Sequence, residues 1–562
     1  MSLLSRRAAR RAVALRLPLS GWTLIVWAIA CLISIPVLFV VGSIFTPAAE
    51  VWNHLASTVL PRYVINSIWL MLGVGSGVLL IGVGTAWLVT MCRFAGSRWL
   101  EWALLLPLAA PAYILAYTYT ELLEFYGPVQ RSLRSLFGWQ TVQDYWFPDI
   151  RSIWGAIAML TLVLYPYVYL LARTAFLEQS VCTLEASRSL GCNPWRSFWK
   201  VALPLARPAI AAGVALALME TLSDFGTVQF FAVDTFTTGI YRTWFGMGER
   251  QAASQLAACL MLFILGLILL ERWSRRQVRY YHGRVRQPPN RYALRGIRAA
   301  IAQIVCLIPL GLGFIIPTAL LLHMTIKNTD VTITDRFWQF ASNSFTLAGL
   351  TAILGVAIAL IVAYGVRLRP NPATSLAAQI AAMGYAIPGS VIAVGVLVPI
   401  GRLDNALDAW MRSTFNISTG LLLSGTIVAL VFAYLVRFLA ISLGTIEASL
   451  GRIKPNLDNA ARSLGHSPTS TLLRVHAPLL GSGLLTAAIL VFVDVMKELP
   501  ATLIVRPFNF DTLAVQVYRL AADERLAEAS APALAIILVG VLPVIVLSRQ
   551  MGRNKGNQNF HR

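Results

Sequence analysis

The chain has 562 residues, of which 57% are hydrophobic and only 13% are charged, well below the charged fraction of about 25% that is usual for soluble domains. This composition argues against a soluble enzyme and predicts a protein that crosses the membrane several times. The formal net charge is +21, but the arginines gather at the ends of apolar stretches, which is the pattern of cytoplasmic span ends. We therefore attribute the charge to topology and expect membrane lipid, and no nucleic acid, around the chain.

The first half of the sequence predicts six membrane spans. An apolar run from about Trp22 to Phe45 follows five arginines and is too long for a signal-peptide core, so it is predicted to be an uncleaved span with a cytoplasmic N-terminus. Further spans are predicted near residues 64–91, 100–121, 152–176, 206–232 and 252–271. The first repeat is accordingly assigned to residues 1–271.

A basic stretch separates this half from a second one. Residues 272–298 contain nine arginines, counting Arg272 and Arg298, and no acid. Pro288-Pro289 breaks any helix, so a cytoplasmic linker is predicted. The second repeat, residues 299–562, has predicted spans near 300–325, 344–366, 377–400, 419–443, 480–505 and 530–548. Its basic tail returns to the cytoplasm. The predicted fold is an all-α polytopic membrane protein with about twelve spans in two parallel six-helix repeats.

A polar segment that occurs twice supports this duplication. Residues 185–204 read EASRSLGCNPWRSFWKVALP, and residues 459–478 read NAARSLGHSPTSTLLRVHAP. Glycine tolerates the left-handed geometry that follows a helix end, so a first helix is predicted to stop at Gly191 and at Gly465. Asn-Pro and Ser-Pro then place an N-cap acceptor before a proline at the first helical position. A second short helix, apolar on one side and basic on the other, is predicted to lie at a membrane or protein surface.

Both segments resemble the EAA loop of ABC-importer permeases, whose pattern is E-A-A, three residues, Gly, nine residues, I-x-L-P. Asn459 stands where the family has glutamate, and Ala477 where it has leucine. The resemblance implies that the two loops couple the chain to an ATPase subunit. The residues expected to form the coupling loops are Glu185, Ala186, Arg188, Gly191, Pro194, Pro204, Asn459, Ala460, Arg462, Gly465, Pro468 and Pro478.

Two further stretches, residues 233–245 and 498–514, resemble the fused permeases of ferric-iron importers. This resemblance implies a type I ABC-importer permease in a bacterial inner membrane that works by alternating access, served by two ATPase copies and a periplasmic ferric-binding protein. The sequence contains no G-x-x-x-x-G-K-[ST] motif, so ATP and Mg are expected on the partner, and the chain is expected to bind no cofactor and to be no enzyme. Thiamine and phosphonate permeases with the same layout remain alternative assignments.

Acidic residues inside the predicted fifth span of each repeat form the second candidate site. Glu220 and Asp224 correspond to Asp494 and Glu498, with Lys497 beside them. An i, i+4 pair is expected to share one helix face, and carboxylates in a membrane are expected to face the bundle interior or a water-filled path. These acids either contact a passing cation or hold the two units together, and we favour a structural or gating role. A proton- or sodium-coupled carrier that uses the same acids is the alternative from another class.

The remaining candidate chemistry in the sequence is sparse. The cysteines form no CxxC pair, and the six histidines are scattered. We therefore predict neither a disulfide framework nor a zinc site, and the sequence leaves any metal contact unassigned.

Overall fold

A computed structural model of the chain describes residues 21–46, 49–179, 189, 191, 193–275 and 291–559. These residues are almost entirely helical, and the predicted all-α class is confirmed. The N-terminal arginines, most of the predicted linker and the first three predicted coupling residues, Glu185, Ala186 and Arg188, lie outside the described residues.

The first half contains twelve α-helices and one short strand among the described residues. In chain order they are α1 (Gly21–Gly42), α2 (Ala49–Thr58), α3 (Leu60–Met91), β1 (Cys92–Arg93), α4 (Ser97–Ala103), α5 (Ala112–Leu123), α6 (Pro128–Phe137), α7 (Ile153–Glu178), α8 (Pro194–Ser197), α9 (Leu203–Ser223), α10 (Gly226–Phe230), α11 (Phe236–Tyr241) and α12 (Arg250–Arg275). A π-helical turn, Phe198–Ala202, joins α8 to α9.

The second half follows the same order. Its elements are β2 (Tyr292–Ala293), α13 (Ile297–Leu310), α14 (Ile316–Lys327), α15 (Thr329–Thr332), α16 (Asp335–Leu368), α17 (Pro372–Ala381), α18 (Gly389–Phe415), α19 (Ile427–Leu450), α20 (Asn456–Ser463), α21 (Pro468–Thr471), α22 (Ala477–Leu479), α23 (Gly481–Met496), α24 (Pro500–Val505), α25 (Leu513–Ala522) and α26 (Leu526–Asn559). A π-helical turn, Leu472–His476, joins α21 to α22, at the position that corresponds to the π turn of the first half.

The helices agree with the predicted number of spans. Ten helical segments of the described chain are long and apolar enough to cross a membrane, and two bent pairs raise the number to 12. Residues 97–109 and 112–137 form one pair with a bend of 89°, and residues 468–479 and 481–496 form the other with a bend of 79°. The first bend falls at Pro111, which directly precedes α5. Pro388, its repeat equivalent, directly precedes α18.

Both EAA-like loops lie on one face of the helical bundle. Near the end of α3, Trp87 packs on Phe198 after the first loop, with ring centroids 4.8 Å apart. Near the end of α16, the Tyr364 hydroxyl donates to the carbonyl oxygen of Pro468 in the second loop at 3.0 Å. Strand β1, which follows α3, pairs in parallel with β2. Two spans separate β2 from the end of α16, so the ends of α3 and α16 lie on the same side of the bundle. We call this surface the EAA face.

The two halves exchange their first spans. Helix α1 packs on α17 and α18 of the second half, so closely that a Cβ at Gly395 would lie 2.5 Å from the carbonyl oxygen of Pro36. Reciprocally, the turn between α13 and α14 contacts the first half, where the Tyr119 hydroxyl donates to the carbonyl oxygen of Leu312 at 2.6 Å. Close approach of this kind depends on glycine and is a common way for membrane helices to pack. The repeats therefore interlock and do not merely sit side by side.

Candidate functional site

The turn predicted in each EAA-like loop is present. Gly191 has a φ of +80° and Gly465 a φ of +78°, the left-handed region that glycine adopts without steric cost. Helix α8 begins at Pro194, and α21 begins at Pro468. The predicted restart is confirmed in both loops. The predicted stop is confirmed in the second loop, where α20 ends at Ser463, whereas most of residues 180–190, which precede Gly191, lie outside the described part of the chain.

The predicted N-caps are also confirmed. The backbone N–H of Arg196 donates to Oδ1 of Asn193 at 2.8 Å, and the backbone N–H of Ser470 donates to Oγ of Ser467 at 3.2 Å. These bonds satisfy donors that a helix start otherwise leaves without a partner.

The predicted separate surface helix is wrong for the first loop. Helix α8 continues through the π turn into α9, and residues 195–223 form one apolar segment that includes Pro204. In the second loop, the bend of 79° before Gly481 separates the corresponding helices, including Pro478, from α23. The sequences differ at this junction, where the second copy has Gly481 and Gly483 and the first has Arg207 and Ala209.

Aromatic side chains hold the first loop against the bundle. Trp87 packs edge-on to Phe176, with ring centroids 5.4 Å apart, and also contacts Phe198. Phe176 and Phe198 are buried. Such contacts stabilise by apolar burial and ring geometry and need no charge.

A polar network holds the second loop instead. Asp458 in α20 accepts hydrogen bonds from the Arg367 guanidinium at 2.7 Å and lies 2.7 Å from Nε2 of His476. Burial acts to raise the pKa of the Asp458 carboxyl, but the bonds from Arg367 and His476 outweigh it and hold the pKa below its ordinary value. In the same helix, Asn459 accepts a bond from Arg462 at 2.6 Å, and Ala460 lies between them.

Both loops leave large apolar side chains exposed on the EAA face. Trp195 and Trp199 are 67% and 52% exposed, and Leu464 and Leu473 are 78% and 63% exposed. Large exposed apolar side chains of this kind can mark a contact surface for another molecule.

A cavity of ≈ 130 Å³ lies between the two halves. Every predicted pathway residue lines it. The polar lining consists of Tyr113, Tyr167, Glu220, Ser223, Asp224, Tyr385, Arg437, Asp494, Lys497 and Glu498. Four carboxylates and two basic groups give this lining a formal charge of −2.

The prediction that each acid pair shares one helix face is wrong. Helix α9 ends at Ser223 and α23 ends at Met496, so the second acid of each pair lies in a break between two helices. Asp224 accepts hydrogen bonds from the backbone N–H groups of Thr227 and Val228, both at 3.1 Å. Aspartate competes with the helix for local backbone donors and so favours a cap over a helix interior.

The Glu498 carboxylate makes a similar local contact in the second half. It accepts the backbone N–H of Ala501 at 3.1 Å and the Arg437 guanidinium at 3.0 Å. Lys497 pairs with Asp494 at 2.8 Å. Both ion pairs lie within the second half, so they do not join the two repeats as one interpretation of the sequence proposed.

Glu220 differs from the other three acids. Within the described part of the chain, its carboxylate has no hydrogen-bond or ion-pair partner, although it lines the cavity. The structure therefore separates three acids that cap helices or pair with bases from one that is free to contact a ligand. No three His, Cys, Asp or Glu side chains of the described residues converge as a metal-binding group.

Sequence reasoning missed Arg437. A lone arginine inside an apolar span is a functional signal in membrane proteins, and Arg437 lies in the middle of α19.

Sequence reasoning also missed two equivalent ion pairs, one in each half, on the face opposite the EAA loops. There, Asp234 pairs with Arg242 and Asp511 with Arg519, both at 2.8 Å. The signal was available, because both halves contain the spacing Asp-Thr, five residues, Tyr-Arg.

The described chain is an all-helical membrane protein of two interlocked halves, and its helices together with the family match below support the type I ABC-importer permease fold. Residues 95–280 match the family model described as "Binding-protein-dependent transport system inner membrane component". This match and the relatives below support an ABC-importer permease that resembles the ferric permeases.

Two of the relatives match over most of both chains. The Fe(3+)-transport system permease protein FbpB 2 of Haemophilus influenzae is 26% identical over 493 residues, covering 86% of this chain and 89% of its own. The ferric transport system permease protein FbpB of Actinobacillus pleuropneumoniae is 25% identical, covering 91% of this chain and 74% of its own. The molybdenum transport system permease protein ModB of Escherichia coli is 28% identical over only 36% of this chain. These relatives are permease components of transporters and not enzymes.

Proposed function

We propose that this chain is the transmembrane subunit of an ATP-driven importer of ferric iron. The observation that carries the proposal is the similarity to permeases named for ferric transport over 86% and 91% of the chain. The formal charge of −2 around the cavity supports it, because a site of one sign attracts the opposite charge and repels its own. The same charge disfavours phosphonate, one of the alternative cargoes, whereas thiamine is a cation and stays an alternative.

The coupling loops supply the contact for the ATPase. Two ATPase copies, which carry the ATP and Mg, cover the exposed side chains Trp195, Trp199, Leu464 and Leu473. Closure of the ATPase dimer moves both loops, with Gly191 and Gly465 as hinges. Moving such an equilibrium from 1:99 to 99:1 takes about 5.5 kcal/mol, which ATP binding on the partner supplies. The halves then rock and expose the cavity alternately to the two sides.

The EAA face is the cytoplasmic side in this proposal. Both termini lie there, because their arginines obey the positive-inside arrangement. The opposite face receives a periplasmic ferric-binding protein. The membrane is the bacterial inner membrane.

Uptake by a strain that lacks the gene tests the cargo. Radioactive iron, thiamine and phosphonate are supplied with and without a plasmid-borne copy. We expect iron uptake to depend on the plasmid. Plasmid-dependent uptake of thiamine without iron would reassign the cargo within the same class, and uptake that survives removal of the ATPase gene would indicate an ion-coupled carrier.

A further inference from the structure

Two tyrosine hydroxyls on α5 have no role in the packing of the described residues. Tyr113 and Tyr117 are 5% and 2% exposed, and neither hydroxyl has a hydrogen-bond partner. Leaving a buried hydroxyl without a partner costs free energy, and a hydroxyl in this state beside a cavity is available to a ligand. The third tyrosine of this helix, Tyr119, bonds to Leu312 instead.

The two hydroxyls follow one side of α5. Tyr113 and Tyr117 are four residues apart, their ring centroids lie 5.8 Å apart, and helical spacing places Glu121 on the same side. Tyr113 lines the cavity that also contains Glu220. Glu121 is exposed at the other end of the helix and has no hydrogen-bond or ion-pair partner in the described part of the chain. Glu121, Tyr117 and Tyr113 therefore form a row along α5 that begins at the surface and ends at the cavity.

The surface end of this row is acidic. Glu121 lies within electrostatic range of Glu124 and Glu524. Arg151 pairs with Glu124 and, at 3.2 Å, with Glu524. Two carboxylates thus pair with Arg151, and Glu121 lies within electrostatic range of both. Arg151 also lies over the ring of Phe230, which contacts Tyr117.

The chemistry of this row fits a hard cation. Carboxylate and hydroxyl oxygens are ligands for hard metal ions, whereas soft ions select thiolate and thioether groups. The oxygens are spread along a helix and do not form a cage, which suits a cargo that must leave again.

From this arrangement we infer that Glu121, Tyr117, Tyr113 and Glu220 form the entry route by which a hard metal cation passes from the face opposite the EAA loops into the central cavity. The inference rests on the proposed function, since it assumes that the cavity carries the cargo. In this inference, the cargo contacts the two tyrosine hydroxyls and the carboxylates of Glu121 and Glu220. Glu498 and Asp224, whose carboxylates are bound to Arg437 and to backbone donors, keep the structural role.

Variants that remove single oxygen atoms test this inference. The permease, its ATPase and its binding protein are reconstituted in liposomes, and iron transported per ATP hydrolysed is measured. We expect this ratio to fall about tenfold in the double variant Tyr113→Phe with Tyr117→Phe and in Glu220→Gln, about the factor that one lost hydrogen-bond-like contact gives. The matched control is Tyr165→Phe, because the Tyr165 hydroxyl is also buried and without a partner but does not line the cavity. It should keep the wild-type ratio.

The outcomes separate the two proposals. Wild-type transport of iron with an unchanged ratio in the double tyrosine variant would overturn the route and leave the ferric function intact. An equal loss in Tyr165→Phe would also overturn it, because the effect would then come from packing. A wild-type protein that moves no iron would overturn the ferric proposal and, with it, this inference.

Discussion

Arg437 and Glu498 form an ion pair in the membrane-embedded centre of the protein, with guanidinium and carboxylate 3.0 Å apart and side chains only 8% and 6% exposed. The pair joins the middle of α19 to the break between α23 and α24. It therefore fixes the geometry of the broken fifth span, where the cavity begins. The contact gives the basic residue inside this apolar span a partner for its charge.

Removal of one partner should be costly. Arg437→Met leaves the Glu498 charge buried without its partner, and we expect a loss of about 3 to 5 kcal/mol, seen as a lower thermal unfolding temperature in detergent. Glu498→Leu combined with Arg437→Met should recover much of that loss. Arg336→Met, which changes an exposed arginine, is the control and should have little effect. An unfolding temperature that stays at the wild-type value in Arg437→Met would contradict the role of this pair.

Substitutions at the two loop glycines test the hinges. Gly191→Val and Gly465→Val place a β-branched residue at positive φ, where left-handed geometry costs about 1 to 2 kcal/mol. No atom lies within 4 Å of a Cβ built at either position, so the cost is conformational and not steric. We expect the double valine variant to insert normally and lose uptake and coupled ATP hydrolysis.

Asparagine provides the matched comparison at the same two positions. It tolerates the left-handed region better than other residues, so Gly191→Asn with Gly465→Asn should retain most of the uptake. Equal activity of the valine and asparagine variants would count against the hinge assignment.

The acid network behind the second loop should respond to pH. The pKa of Asp458 is held below its ordinary value, so its contribution to stability is present above the ordinary carboxyl range and is lost as the pH falls through the lowered pKa. Asp458→Asn should therefore lower the unfolding temperature at neutral pH, and the difference from wild type should shrink below about pH 4. The exposed Asp523→Asn serves as the control. A difference that grows towards low pH would have the wrong sign.

A second buried carboxylate fastens the linker end to the first half. Glu101 pairs with Arg173 at 3.2 Å and with Arg291 at 3.0 Å, next to the paired strands β1 and β2. Glu101→Gln removes the charge that both arginines share, and a loss of about 3 kcal/mol is expected. Arg291→Ala should cost less, because that side chain is partly exposed.

A surface pair supplies the control for Glu101. Glu528 pairs with Arg525 at 2.6 Å, and Arg525 is 55% exposed. Exposed pairs contribute about 0 to 1 kcal/mol, so Glu528→Gln should hardly change the unfolding temperature. Similar losses in Glu101→Gln and Glu528→Gln would show that burial does not distinguish the two sites.

Local features of the fold were predictable because neighbouring residues decide them. The left-handed turns at Gly191 and Gly465 and the caps at Asn193 and Ser467 depend on a few adjacent side chains. The duplication in the sequence placed both loops in corresponding positions. The number of spans followed from apolar length.

Other features depend on tertiary contacts that cannot be inferred from neighbouring residues in the sequence. Asp224 was expected on a helix face, but its carboxylate found closer backbone donors and ended the helix. The pairing of Glu101 with Arg291 joins residues 190 positions apart, and no periodic pattern predicts it. The exchange of first spans likewise depends on packing between helices that are far apart in the sequence. The close contact of Gly395 in α18 with Pro36 in α1 is an example.

The most direct test of the central claim uses purified protein in liposomes loaded with ATP. Iron accumulation is measured with the permease alone, with the permease and its ATPase, and with both plus the binding protein outside. We predict accumulation only in the complete system, and none for the permease alone under a proton or sodium gradient. Gradient-driven accumulation by the permease alone would contradict the account.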